Sequence, residues 1–503
     1  MAGVVKAGEL TSKRIALNAP VFPESKFTMK STCFNRSRRT LILALLSGTA
    51  LFGFSPGARA ELSFIFTNST SATLPHRPSI ILIVADGLGY GDLSCYGQTK
   101  FQTPNLDRLA AEGIRFTSCY AGDAASSPSR AALMLGKEPG DLKQRADVDV
   151  PLAAKDVTIA QVLKHSGYHT GLIGEWDLGG EGTSSSPWNK GFDEFAGYFD
   201  PADAGNYYAD YIFRYAPRSL INQTNHQRED FVGREMLYPN TGGKHDQYVP
   251  DLLTKAALNF VRNNQPDRFN RFRPFFLLVN YKIPGAGSGP VPTDAPYSEE
   301  PWPQQEKNKA AMITRLDNYV GQLLEQLQKF NLTNNTVIFF TSDTGPEKSA
   351  GNDPGFFLSA GPFRGGRGDL YEGGLRVPMI VYWPGKIPAG QVSDLPCAAW
   401  DFLPTATDIA QVKPQAGIDG ISILPGLLGQ TQTNCHETFH WQLQKGRNVW
   451  HTVRMGNWEA VQPKSDAPPE LYDLKTDPGE TNNVAKQHPD LITKFQGILK
   501  NSR

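Results

Sequence analysis

Apolar runs and helical stripes alternate along the middle of this chain. Five short runs are rich in apolar residues, a pattern typical of strands in the centre of a parallel sheet. They cover residues 79–85, 168–173, 275–280, 336–341 and 377–383. Helices are predicted at 104–112, 158–166 and 311–330, the last with apolar side chains along one stripe. This alternation predicts an α/β fold in which helices flank a large, mostly parallel sheet.

The last part of the chain follows a different pattern. From residue 431 onward, short aromatic and β-branched runs replace the long apolar runs, and a final helix is predicted from Pro489. We therefore expect a small C-terminal antiparallel sheet with a covering helix at 431–503, after a larger catalytic-type domain at 78–430. The Ser/Thr-rich residues 61–77 are predicted to be a linker.

The first 60 residues predict an export signal. Met29 is the start that we favour, because a basic segment with Arg38 and Arg39, an apolar run at 41–54 and an A-x-A cleavage site at 58–60 follow it. A twin-arginine signal and a Sec signal both remain open. The apolar run is too short to predict a stable membrane span. We therefore expect an exported protein, either periplasmic or extracellular.

The charge of the chain narrows the choice of partners. The 503 residues have a formal net charge of zero, yet the residues after position 60 hold 41 basic and 48 acidic side chains. A mildly acidic body argues against a nucleic-acid partner, because the phosphate backbone requires a basic face.

The cysteines predict neither a metal site nor a definite disulfide. Four of them lie outside the predicted signal, without the C-x-x-C spacing of a zinc site. Export permits disulfides, and Cys397–Cys435 is one candidate pair, although the sequence does not fix the connectivity.

Two aspartates follow predicted strands. Asp86 comes directly after the run at 79–85, and Asp343 comes shortly after the run at 336–341. If both strands are central, the two carboxylates meet at one edge of the sheet, where open α/β sheets bind ligands. Oxygen ligands of this kind suit a hard divalent cation. An Asx turn at the strand end explains Asp86 equally well.

Ser126 lies where a polar turn runs into an apolar helical pattern. Because Pro128 suits the first turn of a helix, Ser126 is predicted just before a helix N-terminus. Backbone N–H groups and the helix dipole favour negative charge at such a position. An ordinary helix cap remains the alternative interpretation.

Several segments in a fixed order resemble the sulfatases of the alkaline-phosphatase superfamily, in particular arylsulfatase-like bacterial enzymes. The segments are SSPSR at 126–130, GYHT at 167–170, GEWDLG at 174–179, GPFRGGR at 361–367, YEGGLRVP at 371–378, ELYDL at 470–474 and DPGE at 477–480. The resemblance runs from about Arg77 to the C-terminus. It implies an alkaline-phosphatase-like fold and the hydrolysis of sulfuric esters.

The resemblance also implies roles for individual residues. In this family the residue at the position of Ser126 is oxidised to formylglycine, whose hydrate attacks sulfur while calcium polarises the sulfate. Ser126 would then be the precursor of the nucleophile, would face the metal and would need a serine-type maturase. Arg130 would stabilise the hydrate, and Arg367 would bind the sulfate of a small molecule or glycan. Asp86 and Asp343 would bind Ca²⁺.

Five positions depart from the family pattern where its chemistry lies. The substitutions are Gly87 for an aspartate, Glu175 for a lysine, Asp177 for a histidine, Gly285 for a histidine and Thr344 for an asparagine. Two metal ligands are lost, so we expect a weakened calcium site. Glu175 and Asp177 put negative charge where sulfate should bind, and like charges ~4 Å apart repel by about 4 kcal/mol at an effective dielectric near 20.

These observations leave more than one function open. We expect an arylsulfatase-like protein whose hydrolytic activity is impaired or lost. One alternative is a non-catalytic sulfatase-like protein that binds a glycan or a protein partner, and another is a working hydrolase after oxidation of Ser126. Phosphoester cleavage by unmodified Ser126 needs Asp-His metal pairs, which Asp343 followed by Thr344 does not provide. Pocket loops are expected at 200–226 and 285–301.

Overall fold

The computed structural model describes residues 77–501 apart from short gaps. The gaps are 144–149, 201–202, 204–206, 222–226, 267–271, 286–288, 349–351, 446 and 465–466. All described residues belong to one unit, Ser71–Arg503. The expected signal peptide at 1–60, its start at Met29 and nearly all of the 61–77 linker lie outside the described residues.

A large mixed sheet forms because the apolar runs pair with one another. Its strands are β1 (Ser79–Asp86), β2 (Ile114–Tyr120), β3 (His169–Glu175), β4 (Glu194–Tyr198), β5 (Tyr211–Ile221), β6 (Arg228–Met236), β7 (Phe275–Pro284), β8 (Thr336–Ser342), β9 (Arg376–Tyr382), β10 (Gln391–Ser393) and β11 (Cys397–Ala398). Their order is β10-β2-β9-β8-β1-β7-β3-β4-β5-β6, and β11 pairs with β2. The central strands β8, β1, β7, β3 and β4 run parallel, which confirms the predicted fold class.

Helices cover both faces of this sheet. They are α1 (Pro104–Glu112), α2 (Ser126–Leu135), α3 (Ile159–His165), α4 (Val249–Asn263), α5 (Gln304–Lys329), α6 (Glu372–Leu375), α7 (Phe402–Ile409) and α8 (Leu424–Leu427). Successive side chains of β1 point to opposite faces. Ile81 and Ile83 therefore pack in one core with α1, α4 and α5, while Ile80 and Leu82 pack in a second core with α2, α3 and α7.

The predicted helices exist, with one clear difference in length. The helix expected at 311–330 begins earlier, at Gln304. Its first two turns are mostly polar, so they carry no apolar stripe that sequence periodicity could detect. The helix at 158–166 is confirmed, and Thr158 caps it by accepting a hydrogen bond from the backbone N–H of Gln161 at 3.3 Å.

Two segments differ from the expectation. The strand predicted at 377–383 is present as β9, but it runs antiparallel to both β2 and β8. The segment expected to be a pocket loop at 200–226 contains strand β5, which pairs with β4 and with β6. The hairpin of β5 and β6 extends one end of the sheet. Charged residues interrupt both strands, so neither has the apolar run from which a strand was predicted elsewhere.

The C-terminal part forms the predicted small sheet. Its strands are β12 (Phe439–Lys445), β13 (Asn448–Met455), β14 (Trp458–Gln462) and β15 (Glu470–Asp473), all antiparallel and in sequence order. Helix α9 (Pro489–Asn501) packs Phe495 and Leu499 against Val453 and Leu471 of this sheet. The split at 430 into two domains stays a prediction.

The four cysteines in the described part of the chain are free, so the candidate pair Cys397–Cys435 is wrong. Cys397 is buried in β11, opposite Cys119 of β2, whereas Cys435 is exposed. The Cys435 thiol donates instead to the carbonyl of Gln432 at 3.7 Å. Among the described helices, none combines the length and apolar character needed to cross a bilayer.

Candidate active site

Three strands bring acidic side chains to one edge of the large sheet. Asp86 ends β1, Glu175 ends β3, and Asp343 directly follows β8. Each is at most 3% exposed. The backbone N–H of Gly87 donates to Oδ1 of Asp343 at 3.0 Å, so the two aspartates meet at the sheet edge, as the sequence predicted.

Ser126 is the first residue of α2, and Ala125 is the extended cap residue before it. The prediction placed Ser126 just before the helix, one residue away from its observed position, and Pro128 lies in the first turn as expected. The Ser126 hydroxyl is buried and donates to Oδ1 of Asp86 at 3.4 Å. This contact is long for an O–H···O hydrogen bond. Ser126 and Asp86 are neighbours, but the bond between them is weak.

Arg130 lies one turn further along α2 and is bound by carboxylates. Its Nη2 donates to Oε2 of Glu175 at 2.9 Å and to Oδ2 of Asp343 at 3.1 Å. Its Nη1 is 3.9 Å from Oδ2 of Asp177. Glu175 and Asp177, two of the substituted positions, therefore stand against the arginine that the family resemblance assigns to the hydrate.

Lys282 was missed by the sequence interpretation. Ala85 of β1 lies opposite Tyr281 of β7, but Asp86 lies opposite Pro284, so β7 bulges at the two residues between. Such a bulge redirects a side chain. Nζ of Lys282 is 2.7 Å from Oδ2 of Asp86 and 3.7 Å from Oε1 of Glu175. The available signal was a lysine interrupting an apolar strand at its carboxyl end.

Arg367 completes a continuous set of opposite charges. Its Nη1 is 3.0 Å from Oδ1 of Asp86 and 2.8 Å from Oε2 of Glu347. We call the whole set the ion-pair chain. In order, its members are Glu347, Arg367, Asp86, Lys282, Glu175, Arg130 and Asp343. Acid and base alternate throughout, and both inner acids, Asp86 and Glu175, have a cation on each side.

Within the ion-pair chain, the cations and Asp86 stabilise one another's charged forms. Burial alone would raise the pKa of Asp86, but Lys282, Arg367 and Arg130 hold it well below its usual range. Burial would lower the pKa of Lys282, and Asp86 and Glu175 raise it instead. Burial, together with the charge of Asp86, raises the pKa of Asp343 despite Arg130. Lys282 and Asp86 are therefore both charged at neutral pH.

Gly285 and Thr344, two positions that the resemblance marks as substituted, make local contacts. Gly285 donates its N–H to the carbonyl of Asp86 at 2.8 Å, and a Cβ added there would lie 2.9 Å from the Tyr207 hydroxyl. Tyr207 thus takes space that a histidine at 285 would need. The Thr344 hydroxyl donates to Oδ1 of Asp343 at 3.4 Å and to the carbonyl of Gly345 at 3.1 Å.

These residues do not fit a calcium ion. Calcium takes six to eight oxygen ligands, whereas both oxygens of Asp86 face cations and Oδ2 of Asp343 accepts from Arg130. At position 87 the site offers a backbone N–H, a donor that repels a cation. Within the described ranges, no group of three or more His, Cys, Asp or Glu side chains is arranged to hold a metal.

Comparison with known proteins decides the family. A family model described as Sulfatase matches residues 78–412. The chain belongs to the sulfatase family. A second model, for the C-terminal part of N-sulphoglucosamine sulphohydrolase, matches residues 367–502 of this sulfatase-family chain. The candidate active site at the edge of the large sheet thus lies within residues 78–412, which the Sulfatase model matches.

Individual sulfatases are similar over most of their length. N-acetylgalactosamine-6-O-sulfatase of Bacteroides thetaiotaomicron is 31% identical, with 84% of this chain and 93% of the relative aligned. Human arylsulfatase A is also 31% identical, over 87% of this chain and 90% of the relative. A crystal structure of Ps i-CgsB in complex with k-i-k-neocarrahexaose superposes with a TM-score of 0.69 and 29% identity, covering 85% of this chain and 93% of that one.

Proposed function

We propose that this chain is a sulfatase-family protein in which hydrolysis of sulfate esters is impaired or lost. One observation carries the proposal: Arg130 is held between the carboxylates of Glu175 and Asp343, inside the ion-pair chain. The groups that would act on a sulfate ester are neutralised by their own neighbours. The chemistry of the ancestor is sulfuric ester hydrolysis, which the family membership supports.

The nucleophile position lacks an activating partner. Unmodified Ser126 donates to Asp86, whose pKa is held low by Lys282, Arg367 and Arg130 after the opposing effect of burial. A carboxylate with so low a pKa is a poor general base at neutral pH. No histidine occurs among the partners that the described structure gives Ser126, Asp86 or Arg130.

The acidic side chains also oppose a sulfated ligand. Glu175 ends β3, and Asp177 follows two residues later, where the family resemblance implies a lysine and a histidine. A sulfate placed ~4 Å from either carboxylate would be repelled by about 4 kcal/mol at an effective dielectric near 20. A single preorganised donor commonly contributes a factor of ~10²–10³ to the rate. We therefore expect that the replacement of two donors by acids lowers turnover by a still larger factor.

Turnover of an aryl sulfate tests the proposal. The full chain, purified from its native host so that any maturation occurs, is incubated with an aryl sulfate and added calcium. We expect no turnover above that of Ser126→Ala. Turnover that the Ser126→Ala substitution abolishes would show a working hydrolase and would contradict the proposal.

Mass spectrometry of the peptide around Ser126 supplies a second test. Oxidation to formylglycine by a serine-type maturase would remove two hydrogen atoms from the serine. That mass change would support the alternative of a matured hydrolase, which the retained position of Ser126 at the start of α2 favours. We expect the unmodified serine in the protein.

The remaining function that we propose is binding. Relatives of this chain include an N-acetylgalactosamine-6-O-sulfatase, and a similar solved structure holds a neocarrahexaose. A glycan that presents no sulfate to Glu175 and Asp177 is therefore the ligand class that we favour over a protein partner. Export to the periplasm or beyond would bring the chain to such ligands, and glycan-array binding of wild type and Arg367→Ala would test this proposal.

A further inference from the structure

Lys282 is a cation that the protein itself, and not a bound metal ion, supplies to the candidate active site. We propose that its ammonium group takes over the charge-balancing role of the calcium ion that the family implies, so that the ion-pair chain completes the site without a metal. The inference deepens the proposed function and rests on it in one respect, since both require that calcium does not bind. The residue concerned is Lys282, and the bulge in β7 explains its position.

The bulge in β7 is what delivers this lysine. In the regular part of the ladder, Val84 and Ala85 of β1 pair with Asn280 and Tyr281 of β7, and pairing resumes only at Asp86 with Pro284. Lys282 is therefore outside the regular alternation of the strand. Its ammonium reaches Oδ2 of Asp86 at 2.7 Å, the shortest contact in the ion-pair chain.

The ammonium of Lys282 bridges two buried carboxylates. It lies between Asp86 at the end of β1 and Glu175 at the end of β3, which are separated in the sheet by β7. The other oxygen of Asp86 is bound by Arg367 at 3.0 Å. A divalent ion at Asp86 would have to displace Lys282 or sit beside two like charges, and either outcome weakens its binding.

The effect of Lys282 on calcium binding can be separated from the effect of the two substituted ligand positions. Gly87 has room for a side chain, because an added Cβ would meet its nearest atom, the carbonyl of Gly285, at 3.5 Å. Its φ of +63° is a left-handed value that aspartate tolerates better than most residues. Aspartate can therefore be introduced at position 87. When asparagine is introduced at position 344 as well, the remaining difference to compare is the presence or absence of Lys282.

A comparison of four proteins tests this inference. They are wild type, Lys282→Met, Gly87→Asp/Thr344→Asn, and the triple variant that combines all three changes. Calcium binding is measured by isothermal titration calorimetry, and the melting temperature is measured with Ca²⁺, Mg²⁺ or a chelator. We expect wild type to be insensitive to Ca²⁺, and we expect the triple variant to bind Ca²⁺ about tenfold or more tightly than Gly87→Asp/Thr344→Asn.

A matched control separates the charge from the general loss of a buried lysine. Lys190 is also buried, but its ammonium binds backbone carbonyls, with Ala153 at 2.5 Å and Asp156 at 2.9 Å. Lys190→Met in the Gly87→Asp/Thr344→Asn background should leave calcium binding unchanged. If Lys282→Met prevents folding of the triple variant, Lys282→Gln takes its place in the same comparison.

Two results would overturn the inference. One is a calcium-dependent rise in the melting temperature of wild type that Mg²⁺ does not reproduce. The other is equal calcium affinity of the Gly87→Asp/Thr344→Asn protein with and without Lys282. Neither result depends on turnover, so a wild type that hydrolyses an aryl sulfate without binding calcium would contradict the proposed function and leave the role of Lys282 intact.

Discussion

Two regions of this molecule bury several carboxylates, and they neutralise them in different ways. In the ion-pair chain each inner acid lies between two cations, and the pKa of Asp86 is driven down by Lys282, Arg367 and Arg130 against the effect of burial. The second region lies where the C-terminal sheet meets the large sheet. We call it the junction cluster; its members are Glu372, Glu459, Glu480, Arg376 and Arg454.

The junction cluster has more acids than bases. Glu372 pairs with Arg376, and Tyr120 donates to Oε1 of Glu372 at 2.9 Å. Burial and the charge of Glu372 raise the pKa of Glu480 to about 9. Burial, with Glu480 and Glu372, also raises the pKa of Glu459 well above its usual value. Here protons, and not further cations, neutralise the excess carboxylates.

The ion-pair chain and the junction cluster also differ in how their residues relate to the family resemblance. Glu372 and Arg376 belong to the YEGGLRVP segment of the family resemblance. Arg376 of β9 and Arg454 of β13 both donate to the hydroxyl of Tyr120 in β2, so the junction cluster joins the two sheets. Glu175 and Asp177, which the family resemblance marks as substitutions, both lie against Arg130. The segment that carries the resemblance therefore lies in the junction cluster, whereas the positions marked as substituted lie in or beside the ion-pair chain.

Removal of Arg130 should have the largest effect on stability. Arg130→Met strands the buried carboxylates of Glu175 and Asp343, and breaking a buried pair in this way typically costs about 3–5 kcal/mol. The free energy of unfolding is measured by urea denaturation. Arg108→Met is the control, because the Arg108–Glu112 pair is 59% and 44% exposed and its loss should cost about 0.5 kcal/mol or less. Equal losses for the two variants would contradict a cohesive ion-pair chain.

Removal of Lys282 should have a smaller effect. After Lys282→Met, Asp86 still has Arg367 and Glu175 still has Arg130, so we expect a loss of about 1–3 kcal/mol. Lys282→Arg keeps the charge and should recover part of the loss, as measured by urea denaturation. A Lys282→Arg protein that is no more stable than Lys282→Met would indicate that shape, and not charge, matters at this position.

The sequence predicted the scaffold well because the scaffold depends on local patterns. Apolar runs identified β1, β7 and β8, and the strand ends at Asp86 and Asp343 followed from them. Helix α1 could be bounded by Pro104 and Gly113, which begin and end helices for backbone reasons. Each of these features can be predicted from a few residues that are adjacent in the sequence.

The charge pairing could not be predicted in the same way. Lys282 meets Asp86 only because β7 bulges, and Arg367 meets Glu347 across a loop. Register shifts and loop paths are long-range properties, and no spacing along the chain encodes them. The resemblance pointed to Glu175 and Asp177 as foreign charges, but it took the fold to show that Arg130 binds them.

The junction cluster predicts a dependence of stability on pH. The pKa of Glu480 is raised from 4.5 in the unfolded chain to about 9 in the folded state. Its stabilising contribution is therefore complete below about pH 4.5 and is lost as the pH rises through about 9. Between these values the unfolding free energy should fall by at most about 1.4 kcal/mol per pH unit for this proton.

Glu480→Gln tests this dependence. Urea denaturation between about pH 6 and pH 8 should show a shallower fall for the variant, because glutamine cannot ionise. The exposed Glu112→Gln is the control and should keep the wild-type slope. A Glu480→Gln protein with the full wild-type slope would place the proton elsewhere, on Glu459, whose pKa is also raised by burial and by Glu480 and Glu372.

Ser126→Ala should have the smallest effect. The hydroxyl makes a long contact of 3.4 Å with Asp86, and the same oxygen keeps Arg367 at 3.0 Å when the hydroxyl is removed. We expect a change in unfolding free energy of less than about 0.5 kcal/mol in urea denaturation. A much larger loss would mean that Ser126 is a structural member of the ion-pair chain. The small change expected here makes Ser126→Ala a folded reference for turnover, since any activity that it removes is then chemical in origin.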